Sequence, residues 1–279
     1  MLSSVPVASR PAFEISAVTC RAHHARWSAP EARDDHRVVL VRRGGFRRSA
    51  AGVAADLDRT LGYLAGPGEE ESFAHPAGGD LCTAVTVTPE LWRSLAGDTP
   101  VPAARTLPVD PRLDLAHRRL LLAGRSGDVD FALAEELVGL LTTAVTRTVA
   151  GPVPAGGGSA LRDRRLVAAA REAIVADHPA AGTLLSLAEL LGVSPYRLSR
   201  AFPRELGVSV TGYRHRVRIA TALDRLEGGE PSLAALAAEL GYADQAHFTR
   251  TLHRHLGHTP SAVRRLLRRT VSGGRAASA

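Results

Sequence analysis

The sequence predicts an α+β chain of two domains, an N-terminal antiparallel β-barrel carrying two C-terminal helices and then an all-α domain of two helix-turn-helix units. Three observations predict this. The first is an internal repeat: Leu187, Ala188, Leu191 and Gly192 recur 49 residues later as Leu236, Ala237, Leu240 and Gly241, and Ser199, Arg200, Leu206 and Gly207 recur 50 residues later as Thr249, Arg250, Leu256 and Gly257. A duplication of this length is one supersecondary unit used twice. Each copy is a helix with Leu and Ala at i, i+1 and i+4, a glycine turn and a second short helix. The second observation is the texture before the repeat, which is strand-like to about Glu90 and helical from about Pro108 to Ala150. The third is GPVPAGGGS at 151–159, whose glycines and prolines build no packed element and behave as a tether.

In chain order, residues 1–12 read as a loose lead-in. FEISAVTCRAHH, HRVVLVRRGGFRR, AADLDRTLGYLAG and GGDLCTAVTVTP are short segments with alternating apolar residues, broken by Gly and Pro. Arg42-Arg43-Gly44-Gly45 reads as a hairpin turn between the VVLV and FRRS strands. Such spacing fits a small jelly-roll or cupin-like barrel, whose mouth can hold a small ligand. DPRLDLAHRRLLLAG is a helix stopped by Gly124. DVDFALAEELVGLLTTAVTRTVAG is a second, with a wide apolar stripe from Phe131 through Leu133, Leu137, Val138, Leu141 and Val145 that suits a dimer helix. The expected domains are 1–150 (sensor and dimerisation, helices at about 110–150), a linker at 151–159, 160–270 (repeats at about 184–207 and 233–257) and a disordered tail at 271–279.

Composition narrows the class. At 279 residues the chain can hold two domains with separate cores. No apolar run approaches the ~20 residues of a membrane span, and the N-terminus lacks a signal-peptide pattern. Two cysteines, Cys20 and Cys82, without CxxC spacing fit a reducing cytoplasm rather than a disulfide scaffold or thiolate zinc site. All basic side chains are Arg. From Ser159 onward 18 Arg face 10 acids, whereas the first 158 residues hold 17 Arg and 18 acids, which together give the net charge of +7. A basic back half suits a polyanionic partner; a solvated basic surface is the alternative.

The repeats carry a resemblance. LAELLGVSPYRLSRAF, ELGVS, the YRHRVRIATALDRL helix, LAALAAELGYADQAHFTRTL and HLGHTPSAVRR are similar to the corresponding segments of AraC/XylS-family transcriptional regulators, over about residues 165–266. The resemblance implies two recognition helices in successive major grooves of one DNA face. Spacing agrees: Tyr196, Ser199 and Arg200 lie at i, i+3 and i+4 opposite Leu198, Ala201 and Phe202, while Ala246, Thr249 and Arg250 take the equivalent places opposite Phe248 and Leu252, flanked by Gln245 and His247. The resemblance points to Arg200 and Arg250 as guanine readers, Gln245 as an adenine reader or phosphate contact, and Arg197, Arg204 and Arg254 as phosphate contacts. Pro203 lacks the amide that would bond to Ser199, so a bend is expected there. The barrel more weakly resembles the cupin-like sensor domain of such regulators. That implies a small-molecule effector, a homodimer and RNA polymerase as partners beside double-stranded DNA, with no membrane, no cofactor and no catalytic residue.

Two rival readings stand. A metal-dependent cupin enzyme fused to a DNA-binding module would need clustered ligands. His23 and His24 are adjacent and so face opposite sides of a strand, and with His36, His75, Asp80 and Glu31 they match no metal-cupin spacing, so no metal site is expected. The other rival is a DNA binder whose barrel serves only for oligomerisation.

Overall fold

A computed structural model describes residues 2–76, 78–98, 101, 105–126, 128–150 and 158–268. Among these residues nine antiparallel strands form one curled sheet, a half-barrel. They are β1 (Leu2–Arg10), β2 (Phe13–Cys20), β3 (His36–Arg43), β4 (Gly45–Ala50), β5 (Val53–Asp58), β6 (Leu61–Ala65), β7 (Glu71–Ala74), β8 (Asp80–Val87) and β9 (Thr106–Pro108). Their order is β1-β2-β8-β3-β6-β5-β4-β7, with β9 on β6. Among the described residues α1 (Pro89–Ala96) lies between β8 and β9, and α2 (Pro111–Ser126) and α3 (Ala132–Ala150) follow β9.

Strand alternation explains why the sheet is buried on both faces. Along β3, Val38 and Leu40 point into one cluster with Ile15, Leu64, Val85, Trp92, Leu113, Leu120, Leu137 and Leu140, which joins the sheet to α1–α3. Val39 and Val41 point the other way, into the barrel, with Phe46, Leu57, Tyr63, Ala65 and Cys82. The interior also holds charge. Arg37 meets Glu71 at 2.6 Å, Arg48 meets Glu69 at 3.1 Å and also pairs with Glu71, and the Arg48 guanidinium sits 4.3 Å above the Tyr63 ring. Buried charges are tolerated when paired in this way.

Four expectations are corrected. Residues 2–10 are not a loose lead-in but an edge strand, in register with β2 from Leu2↔Cys20 to Arg10↔Phe13. The Gly44 turn is a corner rather than a hairpin, because β3 pairs with β6 and β8 while β4 pairs with β5 and β7. Gly44 has φ of +70°, and a Cβ there would stand 2.3 Å from the Gly79 carbonyl oxygen, so the corner admits only glycine. The strand texture read up to Glu90 already contains α1, capped by Thr88 with Pro89 at its first turn. Phe131, read as part of the apolar stripe, is 77% exposed; Leu133, Leu137, Leu140, Leu141 and Ala144 are the buried ones.

The second half is all helix: α4 (Gly158–Val175), a 3₁₀ turn (Pro179–Gly182), α5 (Leu184–Leu190), α6 (Pro195–Leu206), α7 (Val210–Glu227), α8 (Leu233–Glu239), α9 (Gln245–Leu256) and α10 (Pro260–Leu267). Residues 151–157 of the expected linker and the expected tail at 271–279 lie outside the described residues, whereas Gly158 and Ser159 already open α4. The first repeat is built around Leu187, Leu198, Phe202, Tyr213 and Val217, the second around Leu236, Phe248, Leu252, Leu223 and Leu226.

The two halves pack against each other. Leu115 of α2 lies inside the core of the second repeat. Around it, Arg118 bonds three carboxylates: Asp114 at 2.9 Å on its own helix, and Asp224 at 2.7 Å and Glu227 at 2.6 Å on α7. Arg59 adds a bond to Asp224 at 2.7 Å and Arg42 one to Glu227 at 3.4 Å. At the other end of α7, Asp58 receives Arg171 of α4 at 2.6 Å and the Tyr213 hydroxyl at 2.9 Å. Burial alone would raise the Asp58 carboxyl, but the Arg171 charge and the bonds from Thr60 outweigh it and hold it below the ordinary range. Next to Arg118, His117 is driven down to about 3 by burial, and by Arg42 and Arg118, and so stays neutral.

Arg118 is 4% exposed, and removing it leaves Asp114 without its arginine and takes one of two arginines each from Asp224 and Glu227. Arg118→Ala is expected to cost about 3–5 kcal/mol in urea unfolding. Arg47→Ala, which breaks the exposed Arg47–Asp56 pair, costs less than ~1 kcal/mol.

Candidate nucleic-acid interface

The local chemistry of the two repeats is the same at each boundary. Ser194 caps α6 by accepting the Arg197 amide at 3.2 Å, and Asp244 caps α9 by accepting the His247 amide at 2.6 Å. Gly207 and Gly257 end those helices in the left-handed conformation, with φ of 65° and 74°. Ser209 and Thr259 then cap α7 and α10. The turns inside each unit pass through Gly192 and Gly241, at φ of 64° and 70°. Caps and stops thus recur at the interval that the hydrophobic repeat set.

Both second helices are amphipathic. In α6, Leu198, Ala201 and Phe202 are buried, whereas Tyr196 is 71% exposed and Arg200 is exposed beside it. The Arg200 guanidinium lies 5.8 Å over the Tyr196 ring, a contact that restrains both side chains. Ser199 is half-buried and its hydroxyl donates to the Tyr196 carbonyl at 2.9 Å. In α9, Phe248, Thr251, Leu252 and Leu256 are buried; Gln245, Ala246 and Arg250 are exposed and Thr249 half-buried. The spacing therefore places Tyr196, Ser199 and Arg200 on one face, and Gln245, Thr249 and Arg250 on another. α6 runs as one helix through Pro203, whose carbonyl accepts the Gly207 amide at 3.0 Å.

Other candidates are held less freely than their spacing suggests. His247 packs edge-on to Tyr242, with ring centroids 5.4 Å apart. Arg197 and Arg204 approach Asp163 of α4 at 3.5 and 3.9 Å. Both remain about half-exposed, so these pairs are weak enough to open toward a phosphate. Arg254 is exposed near the end of α9. The sequence reading missed Arg218. It leaves α7 to lie 5.9 Å from the Tyr242 ring and against the Gly241 turn, beside the start of α9. The run Arg214, Arg216, Arg218 signalled basic residues on α7 but not which of them reaches this turn.

A 12-residue helix is about 18 Å long and of a diameter that enters the major groove, where base edges differ. Arg and Gln at groove-facing positions are the side chains that pair bidentately with guanine and adenine. Among the described residues no helix is long and apolar enough to cross a membrane.

Comparison with known proteins agrees with this geometry. The helix-turn-helix domain family matches residues 187–266. The arabinose operon regulatory protein of Escherichia coli K12 is 33% identical over 92 residues, 32% of this chain and 32% of that protein. Its Salmonella typhimurium counterpart is 33% identical over 81 residues, 29% of each chain. The chain thus spans about a third of the length of the curated relatives it matches. ToxT from Vibrio cholerae aligns over 92% of this chain and 99% of its own, with 10% identity and a TM-score of 0.39. Residues 187–266 thus match the helix-turn-helix domain family, and about a third of the chain is similar in sequence to the arabinose operon regulatory proteins.

Arg250→Ala should weaken binding to a specific duplex by roughly 1–3 kcal/mol and relax preference at one base pair, whereas Arg254→Ala should weaken all sequences alike. Fluorescence anisotropy against a panel of single-base variants separates the two outcomes, and equal, sequence-independent losses from both would contradict the assigned roles.

Proposed function

We propose that this chain is a sequence-specific, effector-responsive regulator of transcription that reads double-stranded DNA through α6 and α9. The observation that carries the reading is the pair of capped amphipathic helices, each burying an apolar face in its own core and turning an Arg-centred polar face outward, in the basic half of the chain. Arg200 and Arg250 read guanine. Gln245 reads adenine, and Tyr196, Ser199, His247 and Thr249 complete the base-facing surface. Arg197, Arg204 and Arg254 hold phosphates, which position the helices without specifying sequence.

The same reading assigns the barrel to a small-molecule effector. In its support, a cleft of about 430 Å³ opens at the barrel rim between Ala51, the Gly66–Glu70 turn and Val101, a volume in the range of small-ligand sites. Glu69 of that turn pairs with the buried Arg48, so a ligand in the cleft would adjoin the ionic cluster inside the barrel. A second copy of the chain is the proposed partner of α3, where Val138 is 44% exposed and Phe131, just before the helix, is 77% exposed. RNA polymerase is the proposed partner at a promoter, and the cytoplasm the proposed location.

Selection of bound duplexes from a random pool tests the proposal. The expected result is an enriched motif with two separated half-sites, bound roughly 10²-fold more weakly at 200 than at 50 mM salt. A pool that returns no motif, with affinity insensitive to salt, would contradict it.

A further inference from the structure

Cys20 lies 55 residues before His75, which is close in sequence to Asp80 and Cys82, and the four match no metal-binding spacing. Strand register brings them together. Cys20, the last residue of β2, lies directly opposite Asp80, the first of β8, and Cys82 follows two residues on, so all three project from the same face of that ladder. His75 follows β7 and is fixed by a two-way backbone bridge to His24, with N···O distances of 3.1 and 2.9 Å. A donor atom from each of Cys20, His75 and Asp80 lies within 4.8 Å of the other two. The Cys82 sulfur is 2.9 Å from Asp80 Oδ2 but falls outside that three-residue group, so it joins a shared ion only by turning to another rotamer.

We propose that these four side chains form a site for a borderline-soft divalent cation, with zinc as its natural occupant. The donor set is two thiolates, one imidazole and one carboxylate, the ligand types that zinc takes in four-coordinate sites. Magnesium and calcium prefer all-oxygen cages, so the sulfurs select against them. On binding, each thiol releases its proton to solvent as its sulfur bonds to the metal, and no oxidation state changes.

The surroundings point to the same use. Cys20, Cys82 and Asp80 are 5, 3 and 7% exposed. Asp80 Oδ1 and His75 Nδ1 are buried without a hydrogen-bond partner. His75 Nε2 also lies 3.0 Å from that Asp80 oxygen. Buried polar atoms are ordinarily satisfied, so this oxygen and this nitrogen call for a ligand. The frame is stiff: a Cβ on Gly79 would stand 2.3 Å from the Cys20 carbonyl oxygen, so the loop entering β8 is pressed against the end of β2. The site stands whether or not the chain reads DNA.

The test is cobalt titration of the full-length chain, purified reduced and stripped with a chelator. The expected result is one cobalt per chain with thiolate-to-cobalt charge-transfer absorption, displaced by zinc. Cys20→Ser and Cys82→Ser should each abolish or halve that absorption and lower zinc affinity by more than the ~10–100-fold typical of losing an outer-shell partner. His23→Ala, just outside the cluster, should leave both unchanged. Absence of charge-transfer absorption in the wild-type chain overturns the site, as does cobalt held equally by both serine variants or a Cys20–Cys82 disulfide in place of metal. If a serine variant fails to fold, the wild-type spectrum still decides.

Discussion

The fold depends on one helix meeting three demands at once. The first turns of α7 place Tyr213 and Val217 in the core of the first repeat, and its later turns place Ile219, Ala222, Leu223 and Leu226 in the core of the second. Between these apolar positions, Asp224 and Glu227 face the barrel and receive Arg118, Arg59 and Arg42. An 18-residue helix, about 27 Å long, thus fixes the separation of α6 and α9 and fastens both to the N-terminal domain. Neither repeat can repack without moving α7, and α7 cannot move without exposing or unpairing Arg118.

Charge is the chosen fastening, and it has a physical consequence. A buried arginine among carboxylates adds little net stability over an apolar replacement, yet removing one partner is costly. Such contacts therefore favour one docking geometry over others more than they favour docking as such. The paired clusters, Arg37–Glu71–Arg48–Glu69 inside the barrel and Asp58–Arg171–Tyr213 at its edge, have the same character. Leu115, which enters the second repeat's core, supplies an apolar contribution to the interface. A change in the barrel that shifts α2 would thus be felt at α7 directly, without transmission through the segment between the halves.

Much of this was legible in the sequence, for reasons particular residues make plain. The repeat fixed the helix-turn-helix units because Leu198, Phe202, Phe248 and Leu252 follow helical periodicity and Ser194, Gly207, Asp244 and Gly257 are strong boundary residues. The exposure of Tyr196, Arg200 and Arg250 followed from the same periodicity. The first strand was missed because its residues are exposed and its order comes from pairing with β2, not from its own apolar pattern. The Gly44 corner resembled a hairpin because turn chemistry reports a reversal of direction and not which strands pair. Periodicity cannot see contacts across the tertiary structure, so the packing of His247 on Tyr242, the reach of Arg218 and the docking of α2 on α7 were out of view. The gathering of Cys20, His75, Asp80 and Cys82 depends on strand register for the same reason.

The central claim is that α7 holds α6 and α9, the proposed reading helices, as one rigid unit. Hydroxyl-radical footprinting of the full-length chain on its selected duplex tests this most directly. The account predicts two protected patches on one face of the duplex, about one helical turn or ~10 base pairs apart, their spacing unchanged between tight and weak sites. A single patch, or two whose separation varies from site to site, would contradict it.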